Sequence, residues 1–546
     1  MDWVIRTRAS RPWSARFLAC LSSLLLFASP PLAASAAPQG RGDDSDAYFE
    51  RGPVHELRLV VSREAEAALR ESPRSYAPVV VEIDGKARLS GGGVKLKGAA
   101  GSYQEWDERP ALTIKLDKFD GVDLFHGLEK FHLNNSVQDE SLLSEWLASE
   151  LFRECGLPAT RVAHARVKLN DRDMGVYVLK EGFDKRFLRR WFKDDEGNLY
   201  DGGFCMDVDE DLELDSGPGG EERADLDALA RAATEADLQV RWKSLPELLD
   251  IERFTRHVAL EAMVGHWDGY AWNRNNYRLY FEPGGKAVFL PHGMDQCFQD
   301  PGASVLDMPV AHVAKSVMKN PAWRAEYRRE IAKLLPKFEA KRLVKKLDEV
   351  QRRLEPALKK VSAEAAALQS LRAQELRERL VERERSLKEQ KSQPEPKPQV
   401  FKPGVAVQVK GWRPMSEVED AVVEPRKLGA TQFLSIACGP SKRCVAGWRS
   451  GVLLSRGRYK LSAQVQLDGV EALVEDGAPG SGAVARISGA SSARVEAGDG
   501  TKSLEFEFEV LEETGDVELV LELRARAGKA LFRQDSLRLV RLADAR

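Results

Sequence analysis

The sequence predicts an α+β protein: a large mixed domain with a helical extension, followed by an all-β domain. Three observations predict it. Residues 54–180 alternate short strand patterns with glycine-rich turns around one amphipathic helix at 139–155. Residues 321–391 carry Leu and Val at helical spacing among 20 Lys/Arg and 12 Asp/Glu. Residues 404–546 alternate apolar and polar residues between glycine turns, with no helical period. A length of 546 residues fits about two to four domains. The net charge of −3, from 82 basic and 85 acidic residues, argues against a nucleic-acid partner. Six Cys are too few for a disulfide scaffold.

Taken in order, the chain begins with an address. Arg6, Arg8, Arg11 and Arg16 precede an apolar stretch at 17–34, and Ala34-Ser35-Ala36 offers a cleavage site. Basic, apolar and small-residue regions in that order describe a secretory signal peptide over 1–36. Pro30 and Pro31 interrupt the apolar run, and the absence of an adjacent Arg pair favours Sec-type export to the cell envelope or beyond. No later run of about 18 apolar residues predicts a membrane span. Residues 37–52 are polar and predicted to be disordered. Export permits disulfides, and Cys438 and Cys444, flanking a tight turn, are the best candidate pair.

Strands follow at 55–61, 79–83, 94–97 and 111–116. The helix at 139–155 carries Leu142, Leu143, Trp146, Leu147, Leu151 and Phe152 as one stripe and stops at Gly156 and Pro158. Two strands (161–169 and 174–180) precede a helix at 183–192. Residues 205–225 hold Asp207, Asp209, Glu210, Asp211, Glu213 and Asp215. Those odd-position carboxylates suggest a calcium loop, but the Gly at position 6 and the carboxylate at 12 are missing, so a solvated loop is the better reading. Helices continue through 224–265. The charge alternation of 375–389 predicts an exposed, salt-bridged helix. Four prolines at 392–403 make a stiff linker.

The most informative stretch is 263–298. His266-Trp267-Asp268 followed by Asn273 has the H-x-D-x-x-x-x-N spacing of a protein-kinase catalytic loop. There the Asp orients an attacking hydroxyl and the Asn turns back to hold a metal. Two strands (277–281 and 287–290) and a second acid, Asp295, come next. Upstream lie a glycine-rich hairpin at Gly98, a strand lysine, Lys115, a helix with Glu140, Glu145 and Glu150, and Lys180-Glu181 before a helix. In a kinase those positions are the phosphate loop, the phosphate-pairing Lys, its Glu partner and the adenine hinge. The bland alternatives are a helix-terminal turn for Asp268 and an Asn-rich turn for Asn273, Asn275 and Asn276.

Over roughly residues 54–340 the chain resembles the CotH (spore-coat protein H) kinase family, a secreted branch of the protein-kinase-like fold. The resemblance rests on Gly98 to Lys115, on Asp139 through Ala148, on Gly175 through Asp184, on Trp267-Asp268 with Asn275 through Tyr280, and on Pro291, Asp295 and Phe298. It implies a two-lobed domain over 53–340, with lobes about 53–183 and 184–340, then the helical extension at 341–391. It implies ATP with Mg²⁺ or Mn²⁺, phosphoryl transfer to Ser/Thr hydroxyls of exported proteins, Asp268 as the catalytic Asp that positions the acceptor hydroxyl, and Asp295 and Asn273 as metal ligands. Gly98, Lys115, Glu145, Lys180 and Glu181 would line the nucleotide. Two departures stand out: the usual Trp-Asp-x-Asp around the metal Asp is His292-Gly293-Met294-Asp295, and the loop Gly98-Ala99-Ala100-Gly101-Ser102 lacks a Ser-Ser pair.

Two other readings stay open. The scaffold could serve as a non-catalytic adhesin. Residues 404–546 read as a β-sandwich resembling jelly-roll or galactose-binding modules in architecture only. Trp448 could line a glycan-binding or other surface-ligand face there, or it could be core.

Overall fold

The computed structural model describes residues 45–543, except 51–52, 100, 120–123, 125–126, 220–222, 395–396, 419, 474–481 and 489–495. The leader predicted at 1–36 lies outside the described residues. Part of the polar segment does not: Asp46–Glu50 form a short helix, α1. Tyr48 and Phe49 are buried, and Arg161 donates to Asp46 Oδ1 at 2.5 Å and Ser45 Oγ at 2.6 Å. The Arg161 guanidinium also stacks over the Phe49 ring. Two aromatic anchors order a segment whose composition reads as disordered.

The first third of the chain builds a closed barrel. Its strands are β1 (His55–Val60), β2 (Ala77–Ile83), β3 (Ala87–Lys97), β4 (Ala111–Lys115), β5 (Lys130–Asn134), β6 (Val162–Leu169) and β7 (Arg172–Glu181), in the order β1-β2-β3-β4-β5-β7-β6. Inward residues alternate, as in Leu57 and Leu59 of β1 or Val79, Val81 and Ile83 of β2, and they fill the barrel. Closure removes the exposed strand edges that an open sheet would leave. Helix α2 (Arg63–Glu71), capped by Ser62, packs against β2. Helix α3 (Ser144–Glu154) interrupts the barrel between β5 and β6. The residues predicted as its first turn instead form the Asp139 cap, which accepts from Ser141 N and Ser144 N.

The second unit combines helices with a four-stranded sheet. Helix α4 (Lys185–Trp191) leads to β8 (Asn198–Asp201) and β9 (Glu213–Ser216). Helices α5 (Ala224–Thr234), α6 (Leu238–Leu248), α7 (Ile251–Val264) and α8 (Tyr270–Asn273) follow, then the hairpin β10 (Tyr277–Phe281) and β11 (Ala287–Pro291). The sheet order is β11-β10-β8-β9. The acidic loop is partly structural: Asp207 is buried and accepts from Tyr270 Oη at 3.0 Å and His312 N at 2.8 Å.

Helices α9 (His312–Lys319), α10 (Pro321–Leu334), α11 (Ala340–Val361) and α12 (Ala363–Lys391) close this unit. The exposed helix predicted for 375–389 is corrected here: one of its faces is buried. Leu343, Leu347, Val350 and Leu354 of α11 and Leu376, Leu380 and Leu387 of α12 belong to the same core as α3 and α7. Gln369, Ala373, Leu376, Leu380, Arg383, Leu387 and Gln390 are all buried, at alternating spacings of three and four. That is one helix face, hidden in the sequence because two Gln and an Arg interrupt its apolar run.

The C-terminal strands are β12 (Ala406–Gln408), β13 (Arg413–Ser416), β14 (Val422–Leu428), β15 (Thr431–Ala437), β16 (Cys444–Ala472), β17 (Ala483–Ile487), β18 (Gly498–Arg533) and β19 (Arg538–Arg541). They form one sheet, β12-β19-β16-β18-β15-β14, with β13 on β16 and β17 on β18. It curls as a half-barrel rather than dividing into two clear layers. The reason is that β16 and β18 run for 29 and 36 residues, carrying one ladder around the bend. Trp448 is core: it is 3% exposed and donates Nε1–H to the Ser435 carbonyl at 3.3 Å. Cys438 and Cys444 are free thiols rather than a bridge, and Cys438 Sγ lies 3.9 Å from the Ala525 carbonyl.

Candidate functional site

The loop between α7 and β10 carries Asp268. Helix α7 ends at Gly265 in the left-handed conformation. Buried Glu261 then holds the loop as a chord, accepting from Tyr270 N and Ala271 N at 3.1 Å each and facing His257 Nε2 at 3.2 Å. Burial pushes the Glu261 carboxyl up, but the His257 and His266 charges and the Ala271 amide outweigh it and the net is downward. Gly269 is required here, because a Cβ would lie 2.7 Å from Glu261 Oε1.

Asp268 is surrounded by amides. Its Oδ1 accepts from Asn273 Nδ2 and Asn275 Nδ2, and its Oδ2 from Asn275 Nδ2 at 3.1 Å and Asn276 Nδ2 at 2.7 Å. Asn273 therefore braces Asp268 and contacts Cys205 Sγ at 3.7 Å. It does not line the cleft, whereas Asn275 and Asn276 do. The Asn276 carboxamide lies against Gly293, where a Cβ would meet its Oδ1 at 2.4 Å. Asn276 thus bridges the Asp268 loop and the Asp295 turn, and it lines the cleft where Asn273, the residue expected as a metal ligand, does not.

Asp295 sits in a 3₁₀ turn directly after β11. Its carboxyl is pushed up to about 6 by burial and by the charges of Glu145 and Asp139, against the pull of Lys97. It forms no ion pair among the described residues. It faces a cleft of about 240 Å³ shared with Asp268, Asn276, Gly98 and Lys97.

The lysines rearrange the predicted nucleotide wall. Lys115 lies outside the cleft, 39% exposed and 4.0 Å from Asp117. Register explains this. Lys97 pairs with Ala111 across the β3–β4 hairpin, while Lys115 pairs with Gly93. Ala111 lines the cleft, and Lys115 is four residues further along the same strand face, about 13 Å away. Lys97 is the cleft lysine. It donates to Asn134 Oδ1, and burial pushes its ammonium down to about 8 against the pull of Glu145 and Asp295. Glu145 pairs with Lys180 at 2.6 Å and accepts from Asn134 Nδ2. Burial raises its carboxyl, but Lys180 and Lys97 bring it below the ordinary range. Lys180 also donates to His292 Nδ1 at 3.0 Å. Glu181 points elsewhere, into Arg161 and Arg190 at 2.6 Å each. Gly98, with φ of +101°, starts the turn closed by Ser102 N to Ala99 O.

Lys97, Asn134 and Asn276 were missed because their roles depend on which residues strand pairing brings to one end of the barrel. The signal available for Lys97 was its position immediately before Gly98.

Among the described residues, no group of three or more His, Cys, Asp or Glu could hold a metal by itself. Asp295 and the Asn276 carboxamide oxygen are hard oxygen donors facing one cleft. An octahedral ion that keeps waters and phosphate oxygens needs only one or two protein carboxylates, so the donor set fits Mg²⁺ or Mn²⁺ arriving with a nucleotide.

The family model described as CotH kinase protein matches residues 94–387, just over half of the chain. The inner spore coat protein H of Bacillus subtilis is 27% identical over 175 residues, 29% of this chain and 46% of that protein. Invasin CotH7 of Rhizopus delemar is 25% identical over 182 residues, 31% of this chain and 30% of that protein. The chain thus spans less than half the length of either relative. A crystal structure of the Helicobacter pylori proinflammatory kinase CtkA aligns over 54% of this chain and 94% of its own, at 10% identity and a TM-score of 0.25. That superposition is too loose to carry an argument about the fold.

Proposed function

This chain belongs to the CotH kinase family, and on that footing we propose that it is an exported, two-lobed protein kinase that transfers the γ-phosphoryl of ATP to Ser/Thr hydroxyls of exported or surface proteins. The observation that carries the reading is the convergence of Asp268 and Asp295 on one cleft that Lys97 and Gly98 also line.

The residues divide the work by chemistry. Lys97 pairs with phosphate oxygens and is held in place by Asn134, which also reaches Glu145. The Gly98 turn covers the phosphates with backbone, as glycine loops do. Asp295 and Asn276 would hold the divalent ion, which when bound offsets the charge developing on the phosphoryl oxygens. Asp268 orients the acceptor hydroxyl. Each of its oxygens already accepts two amide hydrogens, so its position is fixed and it contributes mainly by alignment.

The test is transfer from labelled ATP with Mn²⁺ or Mg²⁺ to co-exported proteins or to the chain itself. Asp268→Ala and Asp295→Ala should each abolish transfer while leaving thermal unfolding cooperative. Undiminished transfer in either variant sinks the assignment.

A second reading is a surface-binding protein on the same scaffold. It is favoured by the invasin name of a matched relative. No metal-dependent ATP binding at millimolar nucleotide would favour it over the kinase. For the C-terminal half-barrel, a glycan-binding role has lost its candidate residue, because Trp448 is buried.

A further inference from the structure

Helix α12 reaches both segments that flank the candidate site through the side chain of Arg383. Arg383 is 1% exposed, and the hydrogen bonds of its guanidinium all go to main-chain carbonyls. Nε donates to Met263 O at 3.0 Å and Nη2 to Ala262 O at 2.6 Å. Nη1 donates to Pro301 O at 3.1 Å and to Ala303 O. The first two acceptors are in the last turn of α7, immediately before the loop that carries Asp268. The other two are in the segment that follows the Asp295 turn.

A buried guanidinium is an expensive way to fill space, since a Leu or Met would pack the same volume without desolvating a charge. What it adds is geometry: a planar fork of N–H donors fixes its acceptors relative to one another. Here the acceptors belong to two different segments. Without Arg383, the direct main-chain link between them is Phe298 N to Val264 O at 2.7 Å. Gln390, two turns further along α12, reinforces the second segment by donating to Ala303 O at 3.1 Å and accepting from Val305 N at 2.7 Å. Burial pushes the guanidinium down to about 10, opposed by Asp300, so it remains charged at neutral pH.

We propose that Arg383 is a positioning residue that rivets the Asp268-bearing and Asp295-bearing segments together, making α12 part of the phosphoryl-transfer apparatus. The catalytic consequence rests on the kinase reading. The rivet itself does not.

The experiment uses the full chain as wild type, Arg383→Met and Arg383→Lys. Expected for Arg383→Met is a fall in kcat of at least tenfold, with ATP dissociation constant and acceptor KM within twofold, and partial recovery of kcat in Arg383→Lys. Hydrogen exchange of Arg383→Met should rise in 264–268 and 298–303 and stay unchanged in the barrel. A kcat within twofold of wild type, or a loss of kcat accompanied by equal loss of ATP affinity and exchange rising throughout, overturns the proposal. If wild type transfers no phosphate, the kinase reading has failed. Exchange then decides the rivet alone: a rise confined to the two segments supports it, and unchanged or uniform exchange overturns it.

Discussion

Glu145 on α3 and Lys180 on β7 meet at 2.6 Å inside the wall of the cleft, both 1% exposed or less. The pair joins the helix to the barrel, and Lys180 carries the connection on to His292 beside the Asp295 turn. Breaking a buried pair from one side leaves an uncompensated charge, at a cost of roughly 3–5 kcal/mol. Glu145→Leu and Lys180→Met should each lower stability by about that much in urea unfolding. The double variant should lose clearly less than the sum, because both charges leave together. Additive losses would show that the two side chains act independently.

Lys97 and Lys115 compete for the phosphate-pairing role, and strand register separates them. Lys97→Met should reduce phosphate transfer at least 100-fold and weaken ATP binding. Lys115→Met, on the exposed end of the same hairpin, should stay within twofold of wild type. The reverse ranking would return the role to Lys115.

Acid should destabilise the fold through its buried histidines. His164 donates Nε2–H to the Leu142 carbonyl at 2.7 Å. Burial drives its ring down to about 4, partly opposed by that carbonyl, against about 6.5 in an unfolded chain. A depressed folded value means the stability is fully present above about pH 6.5 and is lost as pH falls toward 4. The loss from this ring is about 3 kcal/mol. Burial lowers His132, His292 and His266 in the same direction. His164→Gln should start less stable at pH 7 and fall more gently between pH 6.5 and 4. Parallel slopes for variant and wild type would exclude the ring as a source.

Cys438 and Cys444 are poised to oxidise. Cys444 lowers the Cys438 pKa and so favours its thiolate, the attacking form. Mild oxidation should remove two titratable thiols and raise the stability of the C-terminal domain by about 2 kcal/mol, the value for so short a loop. Cys438→Ser should lose both effects. Retention of all free thiols under oxidant would mean that the two sulfurs cannot reach disulfide geometry.

Much of the candidate site was legible because its parts are local. The run from α7 through the Asp268 loop, the β10–β11 hairpin and Asp295 occupies consecutive residues, so its order could be read from periodicity, turn residues and spacing. The partners of that run were not legible. Asn273 has the expected spacing from Asp268, yet Asn276 is the residue that reaches the Asp295 turn, because the loop turns back after α8. Helix α12 looked solvated, because its inward face mixes Leu with Gln and Arg.

By itself, the sequence determined which carboxylates are available, their order along the chain and the elements that carry them, since helices, turns and hairpins follow from contacts a few residues apart. The tertiary structure alone decided which lysine faces the cleft, that α1 docks on Arg161, and that Arg383 ties the two acidic segments together. Those outcomes depend on strand register around a closed barrel and on burial between elements far apart in sequence, where a shift of four residues along a strand moves a side chain about 13 Å.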